Sequence, residues 1–164
     1  MKKLKILKVN IFKDPTVLEN HLGSLIELEI LNYEYEIDAK VFDVIRRGAQ
    51  SLQYLRIEFG PGTFADFVSQ MERFIEFLEE FHCLEKLRVM LRSDYWYNYD
   101  GEVEVENNWK GHDKITELLL KNQSKLKRLH ISLKRFMSNE NEMTLIEQMP
   151  RCKITFHDYD YHYG

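Results

Sequence analysis

Among its 164 residues the chain has only 7 glycines, 3 prolines and 2 cysteines, and each scarcity removes a class of protein. So little Gly and Pro excludes collagen-like and linker-type chains. Two cysteines, Cys83 and Cys152, cannot build the disulfide framework of a small secreted domain, which points to a reducing compartment, cytoplasmic or nuclear. No apolar run approaches the ~20 residues that a membrane helix requires. The basic start Met1–Lys3 does not lead into a signal peptide, because Lys5 and Lys8 interrupt the apolar stretch that should follow. Neither charge dominates: 23 basic against 27 acidic side chains leave a net charge of -4, which gives no global reason to expect nucleic acid. Aromatic residues, by contrast, are plentiful. With Phe 10, Tyr 9 and Trp 2 the chain has the means to build a core, and wholesale disorder is excluded. The length suits one domain.

The strongest internal signal is a repeated phrase, Leu-x-x-Leu-x-Φ-x-Φ, where Φ is apolar. It reads Leu4, Leu7, Val9, Ile11; then Leu52, Leu55, Ile57, Phe59; then Leu84, Leu87, Val89, Leu91; then Leu126, Leu129, Ile131, Leu133. A fifth copy, Leu25, Leu28, Ile30, breaks at Asn32, and a sixth is degenerate: Met149, Cys152, Ile154, Phe156. The alternation in its second half is that of a strand with one buried face. Helical signals fill the gaps. Asp14-Pro15 opens Pro15–Leu22, Asp38 opens Ala39–Arg47 with Gly48 as a stop, and Thr63 opens an amphipathic stretch to about Phe81. Asp113 precedes Ile115–Lys121, and Ser138 precedes Met143–Met149, which Pro150 ends. Strands and helices in alternation predict an α/β fold with parallel strands, since each return to the sheet needs a crossover.

These phrases resemble leucine-rich repeats of the ribonuclease-inhibitor-like kind, especially the irregular repeats that follow F-boxes in ubiquitin-ligase receptors. The resemblance covers nearly the whole chain. It implies one domain, 1–164, built as a short right-handed leucine-rich-repeat solenoid of about six irregular repeats, with strands on the concave side and helices on the convex side. The Asn or Cys that such repeats carry after the strand is replaced by Phe12, Tyr33, Gly60, Arg92, Lys134 and His157. No F-box-like helical module precedes Leu4. By this resemblance the chain is expected to recognise another protein, with a cullin-adaptor complex and the ubiquitin pathway as the specific form of that expectation.

Alternate strand positions would face away from the core. Counted from each phrase, they are Ile6, Lys8 and Asn10; Glu27, Glu29 and Leu31; Tyr54, Arg56 and Glu58; Lys86, Arg88 and Met90; Arg128, His130 and Ser132; and Arg151, Lys153 and Thr155. From the third repeat along the chain onward, the first two columns contain Arg56, Lys86, Arg88, Arg128, Arg151 and Lys153 but no carboxylate. Guanidinium groups beside Tyr54 and His130 suit an acidic or phosphorylated segment of a partner. A solvated strand face would carry Lys and Arg without any partner, and nucleic acid is disfavoured by the acidic remainder.

The widest gap between phrases holds an insertion, 92–112, that reads as a hairpin turning at Asp100-Gly101. Its Trp96 and Tyr97 are rigid amphipathic anchors of the kind that concentrate binding energy. The tail, 157–164, is polar and aromatic and suits a cap on the last repeat.

Catalytic patterns are missing. There is no Gly-rich phosphate loop, no Cys-x-x-Cys and no paired metal-ligand spacing. The expectation is a non-enzymatic binding module without metal or cofactor. Its partner-binding residues are Tyr54, Arg56, Lys86, Arg88, Arg128, His130, Arg151, Lys153, Trp96 and Tyr97. Two other readings stay open: a scaffold subunit of a larger complex, and an inhibitor or phosphate-binding, nucleic-acid-associated factor using the basic stripe.

Overall fold

The structure, a computed structural model, describes residues 5–9, 16–31, 39–48, 50–59, 64–80, 83–91, 111–122, 124–132 and 137–156. Its strands are β1 (Ile6–Val9), β2 (Glu27–Leu31), β3 (Tyr54–Phe59), β4 (Lys86–Leu91), β5 (Arg128–Ser132) and β6 (Lys153–Phe156). They form one sheet in chain order, and every neighbouring pair is parallel. Between them lie α1 (Thr16–Glu19) with a 3-10 turn at Leu22–Ser24, then α2 (Ala39–Gly48), α3 (Phe64–Glu80), α4 (Gly111–Lys121) and α5 (Asn139–Gln148). The α/β alternation expected from the phrases is present.

The register explains why the phrase has its spacing. Leu7, Leu28, Leu55, Leu87, Leu129 and Ile154 are partners across all six strands, and Ile30, Ile57, Val89, Ile131 and Phe156 form a second row two residues on. Both rows are buried in the middle of the sheet and half-buried in β6. They share one core with Leu18, Val41, Ile45, Phe74, Leu118 and Leu145 of the helices. Each helix packs on its neighbour in chain order, so the described helices form one layer along a single face of the sheet.

The phrase's first leucine, seen at Leu25, Leu52, Leu84 and Leu126, is buried too. One residue later, a single carbonyl ties each repeat to the next. Lys5 O accepts from the N–H groups of Ile26 and Glu27, Ile26 O from Gln53 and Tyr54, Gln53 O from Glu85 and Lys86, and Glu85 O from Lys127 and Arg128. Using both carbonyl lone pairs satisfies donors that a strand entering the sheet would otherwise leave bare.

Polar contacts also join the helices in sequence. Glu19 meets Arg47 at 3.6 Å, Arg46 meets Glu80 at 3.5 Å, Glu79 meets Lys114 at 3.3 Å, and Asn141 donates to Asp113 at 2.9 Å. These groups are largely exposed, so each ion pair contributes at most about 1 kcal/mol. The start of α5 is more demanding. The Ser138 hydroxyl accepts the Asn141 N–H at 3.2 Å, with Ser138 in extended backbone. Ser138→Ala is expected to cost about 1 kcal/mol, a fall of about 2–4 °C in a thermal melt of a chain this size.

Three expectations need correction. Helix α5 begins at Asn139, directly after the Ser138 cap, four residues before the stretch read as Met143–Met149. Helix α4 begins at Gly111, so Gly111 and His112 belong to it rather than to the insertion read as 92–112. Asp113 is therefore in the first turn, where a carboxylate complements the helix dipole. The sixth repeat is displaced by two residues. Ile154, not Cys152, partners Leu129, and Lys153, not Arg151, partners Arg128. Met149 ends α5 and is buried there, donating its N–H to Leu145 O, so it fills the core as a helix end instead of opening a strand phrase. The hairpin residues 92–110 and the tail 157–164 lie outside the described residues.

Candidate functional site

On the face turned away from the helices, called the open face below, the strands carry three rows. The first runs Ile6, Glu27, Tyr54, Lys86, Arg128, Lys153; the second Lys8, Glu29, Arg56, Arg88, His130, Thr155; the third Leu31, Glu58, Met90, Ser132, of which Glu58, Met90 and Ser132 are buried. Neighbours in a row stand about 4.8 Å apart, the distance between hydrogen-bonded strands. Of the residues expected to bind, Tyr54, Arg56, Lys86, Arg88, Arg128, His130 and Lys153 are therefore brought together. Arg151 is not. It lies exposed in the turn ahead of β6, because the strand starts two residues later than the phrase suggested. Trp96 and Tyr97 fall outside the described residues.

The stripe read as uniformly basic divides into two halves. In the first half Arg56 is enclosed by carboxylates: Nη1 lies 3.6 Å from Glu29 and Nη2 3.7 Å from Glu58, while Lys8 reaches Glu29 at 3.1 Å. Glu29 and Glu58 are buried, and among the described buried atoms Arg56 Nε and Glu58 Oε2 have no hydrogen-bond partner. Arg56 is thus matched by carboxylates and is not a cation offered to a partner. Reading the columns one strand at a time hid this, since the two glutamates lie on neighbouring strand positions. Glu29 was visible in the same column as Arg56, one repeat earlier.

Tyr54 adjoins this cluster. Burial, then the Glu29 carboxylate, raise its phenol above the ordinary value against the lowering pull of Arg56, Arg88 and Lys8. It stays a neutral hydrogen-bonding ring at physiological pH.

In the second half the sign is uniform. Lys86, Arg128 and Lys153 are register partners on three successive strands, all exposed, and Arg88 lies one row away. Among the described residues no carboxylate comes within ion-pair distance of any of these four. Arg88 is oriented by a weaker contact, its Nε donating to Met90 Sδ at 3.2 Å. His130 stands in register between Arg88 and Thr155, half-buried.

An open depression of about 580 Å³ follows the rim where the chain enters the strands, lined by Gln50, Ser51, Gln53, Cys83, Glu85 and Lys127 among others. Lys127 and Glu85 pair across it at 2.7 Å. Between α2 and α3 a cleft of about 10 Å³ has room for about one water. The monotonic strand order also has a consequence. Ligand crevices in open α/β sheets form where the order reverses and helices splay to opposite faces, and this sheet has no such point.

Among the described residues no group of three His, Cys, Asp or Glu side chains could hold a metal ion, and no helix is long and apolar enough to cross a membrane. Both cysteines are free thiols. Burial pushes the Cys152 thiol above its usual value, the opposite of the shift that activates a nucleophile.

No family model matches the chain, and no curated protein matches it. Among solved structures it is similar to leiomodin-1 actin-binding site 2, at 15% identity over 88% of this chain and 79% of that one, with a TM-score of 0.54. At that identity the likeness is one of fold.

Proposed function

We propose that this chain is a protein-recognition module, a short solenoid of leucine-rich-repeat type whose open sheet face is the concave, partner-binding side. The observation that carries this reading is the composition of that face. Tyr54, Arg88, Arg128 and His130 are held on a rigid sheet at fixed pitch, and Tyr and Arg are among the residues enriched where proteins meet. A broad face of this kind suits a macromolecular surface better than a small molecule, which needs enclosure. The partner is another protein with an acidic or phosphorylated segment. Free thiols at Cys83 and Cys152 suit a reducing compartment.

Resemblance to F-box-associated repeats makes substrate recognition for a cullin-type ubiquitin ligase the most specific form of the proposal. A scaffold role, an inhibitor or phosphate-binding role, and association with actin, suggested by the name of the leiomodin-1 segment, are the competing forms. All are argued by analogy of fold, which does not determine function.

The test is affinity capture from cell extract with three baits: wild type, Arg88→Glu/Arg128→Glu, and Glu72→Lys/Glu76→Lys on the exposed side of α3. Proteins identified by mass spectrometry should be lost with the first double variant and kept with the second. Equal retention by both variants would remove the open face as the binding surface. Co-sedimentation with filamentous actin checks the actin form separately.

A further inference from the structure

We propose that the β4–β6 half of the open face is the docking site for a carboxylate-rich segment of a partner protein, held by Lys86, Arg88, Arg128 and Lys153. This rests on the recognition reading and narrows it to one half of the sheet and one chemistry. The argument begins from an internal conflict. Like charges placed directly across neighbouring strands destabilise a sheet, yet Lys86, Arg128 and Lys153 occupy three consecutive partner positions. The same face shows how the chain relieves such a conflict elsewhere, setting Glu29 and Glu58 around Arg56 and pairing Lys8 with Glu29. In β4–β6 no described carboxylate does this, in a chain whose acidic residues outnumber its basic ones, 27 to 23. The unmatched charge therefore forms a contiguous row on this surface, and an incoming anion relieves the repulsion as it binds.

Geometry selects the kind of anion. The row from Lys86 to Lys153 covers two interstrand steps, about 10 Å. One phosphate group needs donors converging on a point. A row this long matches several carboxylates distributed along a segment lying across the strands. The first half of the face, where Glu27, Glu29 and Glu58 outnumber Lys8 and Arg56, does not compete for that segment.

The experiment uses the full chain and a fluorescein-labelled ten-residue Glu/Asp peptide, with a Gln/Asn peptide of equal length and a singly phosphorylated neutral peptide as comparisons. The Glu/Asp peptide should bind best and weaken as salt rises from about 50 to 200 mM. Lys86→Gln/Arg128→Gln/Lys153→Gln should weaken it tenfold or more, while Lys121→Gln on the helix layer leaves it unchanged. The same triple variant should melt higher than wild type by about 1–3 °C, since it removes the repulsion. That rise also shows that the variant is folded. Preference for the phosphorylated or the Gln/Asn peptide, or unchanged binding by the triple variant, overturns the proposal. The recognition reading is judged apart, by capture with the triple variant and with Tyr54→Ala/Leu31→Arg. Partners lost only with the latter would keep the open face and discard its acidic occupant, and partners retained by both would discard the face as well.

Discussion

Phe74→Ala is expected to destabilise the protein by about 3–5 kcal/mol in urea unfolding, more than any surface change. Phe74 is fully buried in α3. Its ring centroid lies 5.9 Å from that of Phe59 in β3, edge-on at 76°, 6.3 Å from Phe42 in α2 and 6.2 Å from Phe77 one turn along. Phe42 stacks on Phe59 at 6.4 Å, so the four rings close a cluster that joins two helices to the strand between them. Removing the central ring forfeits its own burial and leaves a cavity whose walls are rings fixed by one another, unable to collapse into it. Phe74→Leu refills part of that space and should lose clearly less. If Phe74→Ala costs under about 1 kcal/mol, the helices do not meet β3 through this cluster.

Those four phenylalanines also show what could be read from the chain alone. Phe59 closes a strand phrase and Phe74 lies in the helical periodicity after Thr63, so both were legible as core. Five of the six phrases led to strands with the expected inward residues, because a period of two fixes which side chains face inward. The sixth failed for the same physical reason. A slip of one residue exchanges the faces and shows at once, whereas a slip of two preserves them. Cys152, Ile154 and Phe156 alternate equally well in either register. What decided it was where α5 stops, and a helix end is a tertiary outcome as much as a local one. The start of α4 was misplaced because Asp113 reads as a cap. Packing of Ile115, Leu118 and Leu119 on the core extends the helix back to Gly111.

The candidate face was legible as a set of columns but not as an electrostatic surface. Columns record which residues share a side. They do not record that Glu29, on the preceding strand, and Glu58, two residues further along the same strand, lie close enough to neutralise Arg56. The six cations read as one stripe thus sort into Arg56, which is paired, Arg151, which is off the sheet, and the four of β4–β6. The signal was in the sequence, since all three rows could be written down. The distances between rows could not.

Arg56→Ala is expected to cost about 3 kcal/mol at neutral pH, the lower part of the range for removing one member of a buried ion pair. The cost arises less from lost attraction than from what remains. Glu29 and Glu58 are buried, and without the guanidinium Glu58 has no cation within ion-pair distance among the described residues. Glu29 keeps only Lys8, whose side chain is largely exposed and therefore screened. Contacts of 3.6 and 3.7 Å are long for charge-assisted bonds, and the lack of a hydrogen-bond partner for Arg56 Nε and Glu58 Oε2 shows the wild-type arrangement to be imperfect; both facts hold the loss to the lower end.

Neutral amides separate this cause from lost packing. Arg56→Ala combined with Glu29→Gln and Glu58→Gln should recover much of the loss at neutral pH in urea unfolding, because the amides carry no buried charge. A deficit unrelieved by the triple change would mean that Arg56 acts through the packing of its aliphatic stem, with the two glutamates incidental.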